Sequence, residues 1–285
     1  MKLCRFKNRG GEADIGFVVD SETIIDLTPA GVSTVSELLE HDDPSADLET
    51  LSRQNLPRFG LHQVRLLPPV ERQEVWAVGV TYLRSKKARM EESDFSATAY
   101  DRVYDAPRPE LFFKAMPHKV VGHDDSVGIR KDAKWNVPEP ELAFVINSRG
   151  RIVGFTIGND MSSRDIEGEN LLYLPQAKIY DRSCALGPFV RVGANETEAR
   201  TWSIRLQIQR GQKTVFEGKT SVANIKRGFD ELVSYLFRSQ TFPDGAILLT
   251  GTGIVPADDF TLAAGDIIRI EISGIGALEN SVAVV

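Results

Sequence analysis

Short apolar runs recur along this chain of 285 residues, and most have the length and alternation of β-strands. The predicted strands outnumber the predicted helices and do not alternate regularly with them, which disfavours a doubly wound sheet. The sequence therefore predicts an α+β fold with a mixed, largely β core. Strands are predicted at residues 2–6, 15–19, 23–26, 75–80, 111–115, 142–147, 152–157, 202–210, 246–250 and 267–272. Helices are predicted at residues 34–41, 83–90, 163–170 and 225–238.

Two folded units are expected from the length, because domains commonly contain ~100 to 200 residues. The first is a small, strand-rich α+β domain at residues 1–69, and Pro68-Pro69 forms a rigid entry to the second. The second covers residues 70–285 and contains the mixed β-sheet.

Composition excludes several classes of function. A net charge of −6, with interspersed Lys and Arg, offers no broad basic face for nucleic acid. No apolar run approaches the ~20 residues of a membrane-spanning helix, and the N-terminus lacks the apolar segment of a signal peptide. Cys4 and Cys184 are far apart in the sequence, which argues against a disulfide framework or a structural zinc site. We expect a cytoplasmic protein without a membrane or nucleic-acid partner.

The segment 138–160, PEPELAFVINSRGRIVGFTIGND, predicts a β-hairpin with acidic residues at its open end. Glu139 and Glu141 are two residues apart on one strand, so their side chains point to the same face. A two-residue turn at Arg149-Gly150 places Glu139 opposite Asp160. Three carboxylates would then share one patch, although a slip of one residue would move Asp160 to the other face.

Two interpretations of this patch follow from spacing alone. Like charges on facing strands repel, and three carboxylates favour a bound cation, for which oxygen ligands indicate Mg²⁺, Mn²⁺ or Ca²⁺ rather than Zn²⁺. Alternatively, the acidic residues form a solvated strand edge that resists pairing with another chain. The spacing leaves both open.

Four motifs occur in an order that resembles the fumarylacetoacetate hydrolase superfamily. They are EPE at 139–141, NDMSSRD at 159–165, KIYDRSCALGP at 178–188 and TGT at 250–252, and the resemblance covers most of residues 75–280. It implies a catalytic domain of that superfamily's fold, with a divalent metal on Glu139, Glu141 and Asp160. Mg²⁺ is the expected ion, and Mn²⁺ or Ca²⁺ are alternatives.

Three longer sequence segments are similar to segments of the 2-keto-3-deoxy-pentonate dehydratases of that superfamily. They are VYDAPRPELFFKAMPHKVVGH (103–123), ENLLYLPQAKIY (169–180) and LLTGTGIVP (248–256). The resemblance implies a metal-stabilised enolate and loss of water to give 2,5-dioxopentanoate. Hydrolases of the superfamily carry an Asp and a His where Val80 and Lys87 stand here, which argues against C–C bond hydrolysis. Acylpyruvate-type hydrolysis, decarboxylation or isomerisation of a 2-oxo acid, and a non-catalytic binding module remain the alternatives.

The resemblance also assigns roles to single residues. Lys178 is the expected proton shuttle, and Glu110 is the candidate acid or base for the leaving hydroxyl. A surface lysine and a simple ion pair are the respective alternatives. Contacts to the 2-oxo acid are expected from Thr252, Gly251, Glu167, Lys114, Tyr82 and Arg84. A basic helix with Arg84, Lys86, Lys87 and Arg89 would attract the anionic substrate or form only a solvated face. A homodimer or homotetramer is expected.

Overall fold

The structure, a computed structural model, describes residues 1–8, 11–84 and 102–285. Within these ranges, no helix has the length and apolar character needed to cross a membrane. The helices are α1 (Val35–Leu39), α2 (Pro44–Ser52), α3 (Arg164–Glu169), α4 (Leu174–Lys178), α5 (Glu196–Ala199) and α6 (Phe229–Leu236). The strands are β1 (Lys2–Lys7), β2 (Ala13–Val18), β3 (Thr23–Asp26), β4 (Arg58–Gly60), β5 (Arg65–Leu67), β6 (Glu74–Gly79), β7 (Glu110–Ala115), β8 (Val120–Val121), β9 (Ser126–Ile129), β10 (Asn136–Val137), β11 (Pro140–Ile146), β12 (Ile152–Asp160), β13 (Ser162–Ser163), β14 (Cys184–Val192), β15 (Ser203–Arg210), β16 (Lys213–Ser221), β17 (Ala246–Leu249), β18 (Ile267–Ile272) and β19 (Gly276–Val284).

Most of these strands belong to two sheets. The larger has the order β4-β3-β2-β1-β14-β12-β11-β17-β6-β7, with β5 beside β1 and β8 beside β14. The smaller has the order β16-β15-β18-β19-β9. Pairing is mainly antiparallel, but β6 with β17, β8 with β14 and β9 with β19 are parallel. The predicted mixed, largely β fold is confirmed.

The helix predictions differ in accuracy. Helix α1 falls within 34–41 and begins at the Thr34 cap, whose side chain accepts a hydrogen bond from the Glu37 amide. Helix α3 lies within the predicted 163–170. Helix α6 is shorter than 225–238, because the backbone is extended at Ile225, after a separate 3₁₀ turn at Val222–Asn224, and again at Gly228. The predicted helix 83–90 lies mostly outside the described residues. The elements that the sequence did not predict are α2, α4, α5, β4, β5, β8, β9, β10, β13, β14, β16 and β19.

Strand β11 lies at the centre of the larger sheet and is buried along its whole length. Leu142 and Phe144 belong to the hydrophobic cluster that includes the smaller sheet. Ala143 and Val145, on the opposite face, belong to a second cluster that includes side chains of β1 and α1. Burial on both faces explains why β11 is a continuous apolar run instead of an alternating one.

The hairpin of β11 and β12 has the predicted register, but its loop differs from the predicted one. Its loop has three residues, because the Asn147 amide donates to the Arg151 carbonyl at 3.0 Å, so the predicted two-residue turn is wrong. A shift in pairing between Val145 and Ile146 offsets the longer loop. At the open end the Asp160 amide donates to the Glu139 carbonyl at 3.0 Å. The two acidic residues are therefore opposite each other.

Residues 1–69 and 70–285 share the larger sheet, since β1 pairs with β14. Helix α1 also fixes the closed end of the β11–β12 hairpin. The Glu40 carboxylate accepts hydrogen bonds from the Ser148 amide at 2.6 Å and from its hydroxyl at 2.9 Å. The Arg149 guanidinium donates to the Glu40 carbonyl at 2.5 Å. The N-terminal region therefore supports the hairpin that carries the carboxylates.

The space around Gly158 of β12 shows how closely the larger sheet is packed. A Cβ atom there would lie 2.1 Å from Cδ2 of Leu249, whereas a Cβ atom at Gly228 would lie 4.0 Å from Cβ of Glu231. We expect Gly158→Ala to lower the free energy of unfolding by about 1 to 3 kcal/mol, because overfilling a core forces its neighbours apart. Gly228→Ala is the control and should lower it less, because it overfills no space and removes only the preference for glycine at the N-cap of α6. Urea unfolding in the presence of a chelator measures both, and equal effects would contradict the tight contact.

Candidate active site

A cleft beside the open end of the β11–β12 hairpin contains most of the side chains predicted to be functional. The predicted residues that line it are Glu110, Glu139, Glu141, Asp160, Glu167, Lys178, Gly251 and Thr252. They come from β7, from the open end of the hairpin, from α3 and α4, and from the turn after β17. Residues far apart in the sequence thus meet at one concave surface.

Glu139, Glu141 and Asp160 are brought together by the hairpin register. One carboxylate oxygen from each lies within 4.8 Å of the others, and all three residues are buried. Glu141 is further held by the turn after β17, where the Gly251 amide donates to its Oε2 at 2.6 Å. Gly251 has φ +87°, and a Cβ atom there would lie 2.3 Å from the Thr81 hydroxyl. Only glycine fits this turn without strain.

Three buried cationic side chains surround these carboxylates. The Lys178 amine, at the end of α4, donates to Oε2 of Glu139 at 2.8 Å and to Oδ2 of Asp160 at 3.1 Å. The Lys114 amine lies 2.5 Å from Oδ1 of Asp160. The Arg164 guanidinium donates to Oε1 of Glu139 at 3.1 Å. Charges buried this deeply require such partners.

The donor set fits a hard divalent cation. The described residues of the cleft carry five carboxylates, which Lys178, Arg164 and the adjacent Lys114 do not fully balance. The difference is two negative charges when all of these groups are ionised. Carboxylate oxygens are the ligands that Mg²⁺, Mn²⁺ and Ca²⁺ prefer, and three protein ligands leave positions open for other molecules.

The pKa of Glu141 reflects the close spacing of the buried carboxylates. Burial, followed by the charges of Asp160 and Glu139, raises the pKa of Glu141 well above its ordinary value. Lys178 and the Gly251 amide oppose that shift without cancelling it. A proton on Glu141 would therefore compete with a cation for the same oxygens.

The remaining acidic and polar residues occupy other parts of the cleft wall. The Glu110 carboxylate lies over Gly79 of β6, where a Cβ atom would be 2.1 Å from its Oε2. Glu167 is buried, and its Oε2 lies 4.0 Å from Nε of Arg164. The Thr252 hydroxyl lies 3.2 Å from both the amide and the carbonyl of Ile254, so it also shapes its own turn.

Three residues that the sequence assigned to substrate binding do not line the cleft. Lys114 is fully buried, and its amine contacts Asp160, the Met161 carbonyl and the Lys178 carbonyl. Tyr82 is buried in the core, where its ring lies against Gly253. Arg84 is exposed and ends a described range. Burial makes Lys114 and Tyr82 unsuited to direct contact with a substrate in the cleft, whereas the role of Arg84 stays a prediction. Lys86, Lys87 and Arg89 lie outside the described residues.

Sequence reasoning missed two features of the site. Arg164 follows Asp160 by four residues, and the NDMSSRD motif contains it, yet only the structure reveals its contact with Glu139. Val80 also lines the cleft, and its φ of +52° is unusual for a β-branched residue. Backbone strain of this kind is often found at functional sites, but no sequence pattern indicated it.

Comparison with known proteins identifies the family. Residues 74–283 match the family model described as fumarylacetoacetate (FAA) hydrolase C-terminal. The chain belongs to the fumarylacetoacetate hydrolase family. This agrees with the superfamily resemblance of the four sequence motifs.

Several members of this family are similar over most of the chain. A Haloferax volcanii protein named "Probable 2-keto-3-deoxyxylonate dehydratase" is 49% identical over 217 residues, covering 76% of this chain and 74% of the relative. The 2-dehydro-3-deoxy-D-arabinonate dehydratase of Saccharolobus solfataricus is 39% identical over 283 residues, covering 98% of this chain and 95% of the relative. A solved structure of 2-keto-3-deoxy-D-arabinonate dehydratase complexed with magnesium and 2,5-dioxopentanoate matches with a TM-score of 0.83 and 35% identity, covering 100% of this chain and 99% of the other.

The raised pKa of Glu141 predicts a pH-dependent response to divalent ions. Without an ion, the folded state keeps the Glu141 proton to higher pH than the unfolded chain does. Stability contributed by this group should therefore fall as pH rises above the ordinary glutamate pKa of about 4.3. A divalent ion should reverse the loss, so the rise in melting temperature on adding the ion should grow with pH. Thermal unfolding with Mg²⁺ or with EDTA across a pH series measures this, and a rise independent of pH would contradict it.

Proposed function

We propose that this protein is a divalent-metal-dependent hydro-lyase that converts a 2-keto-3-deoxy-pentonate to 2,5-dioxopentanoate. One observation carries the proposal: a lysine, Lys178, contacts two of three clustered carboxylates inside a cleft that also contains Glu110. The cleft therefore combines a candidate metal site with groups that can move protons. The names of the dehydratase relatives, together with the identity over nearly the whole chain, support the choice of substrate.

Glu139, Glu141 and Asp160 are the residues that would hold the ion, and the complex of the similar dehydratase with magnesium favours Mg²⁺. When bound, the ion would act as a Lewis acid toward the substrate's keto oxygen, and its charge would favour the neutral amine of Lys178. Arg164 and the Gly251 amide hold the two glutamates in place before the substrate arrives. Such preorganisation reduces the rearrangement needed during the reaction.

Lys178 and Glu110 are the proposed proton carriers. Lys178 removes a proton from C3 of the substrate, and Glu110 gives a proton to the C4 hydroxyl as it leaves as water. Transfer of a C5 proton to C3 then produces the C5 enol, which becomes the aldehyde when C4 gains a proton and the C5 hydroxyl loses one. Lys178 is suited to the first step because its side chain reaches the cleft beside the carboxylates. Its amine lies 5.9 Å from the centre of the Phe112 ring, and this contact limits its movement.

Other groups of the cleft support binding of an anionic substrate. Gly251 and Thr252 form part of the wall and are the proposed partners of the substrate carboxylate. Glu167 is the proposed contact for a substrate hydroxyl, since it is buried in the same wall. Lys114 and Tyr82 are not included, because both point into the protein interior.

The described wall of the cleft also favours dehydration over hydrolysis. Hydrolysis of a C–C bond needs a base that activates water. None of the described residues lining the cleft is a histidine, and Val80 brings an apolar side chain to this wall. A 2-oxo-acid decarboxylase or isomerase would use the same metal site, so direct assay must separate these activities. Oligomeric state and cytoplasmic location stay predictions.

A substrate panel tests the proposed activity. Purified protein with Mg²⁺ is incubated with 2-keto-3-deoxy-arabinonate, 2-keto-3-deoxy-xylonate, acetopyruvate and oxaloacetate, and the products are identified by NMR. We expect 2,5-dioxopentanoate from at least one sugar acid, loss of turnover with EDTA, and recovery with excess Mg²⁺. Turnover of acetopyruvate or oxaloacetate alone would reject the dehydratase proposal in favour of the corresponding alternative.

Glu110 and Gly79 provide a paired test of the second proton carrier. We expect Glu110→Gln to lower kcat by roughly 10²- to 10⁴-fold, the usual contribution of a positioned acid or base. Gly79→Ala should also lower kcat, because its Cβ would occupy the place of the Glu110 carboxylate while the flexible side chain moves away. Glu74→Gln is the control, since Glu74 begins the same strand as Gly79 and binds Nε1 of Trp76 instead. Steady-state kinetics with saturating Mg²⁺ measure all three, and an unchanged kcat in Glu110→Gln would exclude the assigned role.

A further inference from the structure

Each of the three clustered carboxylates has one oxygen engaged by a nitrogen donor of the protein. Arg164 donates to Oε1 of Glu139, and the Gly251 amide donates to Oε2 of Glu141. The Lys114 amine lies 2.5 Å from Oδ1 of Asp160. One oxygen of each carboxylate therefore faces one of these donors, while Oε2 of Glu139 and Oδ2 of Asp160 face the amine of Lys178.

Lys114 differs from the other two donors because it lies behind the site. It is the third residue of an alternating set on β7 whose first two members, Glu110 and Phe112, line the cleft. Its side chain has no exposed surface. The Lys114 ammonium group donates hydrogen bonds to the Met161 and Lys178 carbonyls and forms an ion pair with Oδ1 of Asp160.

These contacts tie Lys114 to both functional parts of the site. Asp160 and Met161 form the end of β12 and the residue after it, while Lys178 ends α4. Lys114 therefore fixes the direction of the Asp160 carboxylate and the position of the helix end that carries Lys178. Oδ2 of Asp160 remains on the side of Lys178, whose amine it contacts at 3.1 Å.

We infer that Lys114 is a positioning residue that keeps Asp160 a one-oxygen ligand and thereby sets the preference of the site for small octahedral ions over Ca²⁺. The inference rests on the metal site of the proposed function. Mg²⁺ requires near-ideal octahedral geometry, whereas Ca²⁺ takes six to eight oxygens and readily accepts both oxygens of one carboxylate. With one oxygen each, the three residues would supply three ligands to a bound ion, and the remaining positions would be open to water and substrate.

Removal of the Lys114 amine should change this preference. Without it, Asp160 can rotate and present both oxygens, which helps a larger ion and misaligns the ligand for a smaller one. In Lys114→Met we expect Mg²⁺ affinity to fall by roughly 10- to 100-fold, as when other groups that orient metal ligands are removed. Ca²⁺ affinity should fall less or rise, so the ratio of the two dissociation constants shifts toward Ca²⁺.

Isothermal titration of each ion into the wild type, Lys114→Met and Lys119→Met measures that ratio. Lys119 is a matched control, because it is an exposed lysine paired with Asp181 at 3.1 Å away from the cleft. Lys119→Met should leave both dissociation constants unchanged. An equal loss of Mg²⁺ and Ca²⁺ binding in Lys114→Met would overturn the inference and leave the metal site of the proposed function intact. If the wild type binds neither ion, both are overturned.

A crystal structure of the wild type with Mn²⁺ provides a test that does not depend on folding of the variant. We expect one oxygen of Asp160 on the ion and the other within hydrogen-bonding distance of the Lys114 amine. Coordination of the ion by both oxygens of Asp160, or loss of its contact with Lys114, would overturn the inference even if the enzyme is active.

Discussion

The burial of three carboxylates side by side is the constraint on which this structure depends. Each charge loses its water, and each repels the other two, so the arrangement is stable only with cations in contact. Lys114, Lys178 and Arg164 supply them from β7, from the end of α4 and from the start of α3. Strand β7 and helices α3 and α4 must therefore assemble around the hairpin before its acidic end can be buried.

The cations also divide the carboxylate oxygens between structure and chemistry. Arg164 and Lys114 engage one oxygen on Glu139 and Asp160, while Lys178 contacts the other oxygen on each of these residues. Lys178 alone of these cations both lines the cleft and contacts two of the carboxylates. It is thus placed where a bound divalent ion would change its charge balance most strongly, whereas Lys114 is held by acceptors that such an ion would not replace.

The sequence was most informative about which residues share one face of a strand. Two-residue spacing was enough to put Glu139 and Glu141 on one face, and the partner strand was correctly aligned at Asp160. That alignment succeeded although the turn was wrong, because a local irregularity in the strand pair compensates for the extra loop residue. Turn length and bulges depend on packing at both ends of the hairpin, so a local pattern cannot determine them.

Two strands and the position of Lys114 could not be predicted from the sequence, for physical reasons. Strand β16 is exposed along much of its length and has mainly polar residues, so it lacks the apolar alternation of a half-buried strand. Strand β14 contains Gly187-Pro188, a pair that indicates a turn in most contexts. Lys114 was assigned to the substrate, and only the fold reveals that its amine is buried beside Asp160.

The N-terminal region has a physical role in the site although none of its residues reaches the cleft in the described structure. The hairpin that carries the carboxylates is held at its open end by cations and at its closed end by Glu40, which binds Ser148. Strand β1 adds to the same sheet through β14, which in turn pairs with β12 up to Asp160. A ligand set can be preorganised only when its supporting strands are fixed against sliding, because small displacements change metal geometry and the alignment of reacting groups. Residues 1–69 are therefore better understood as part of the scaffold of the hairpin that carries the three carboxylates than as an independent appendage.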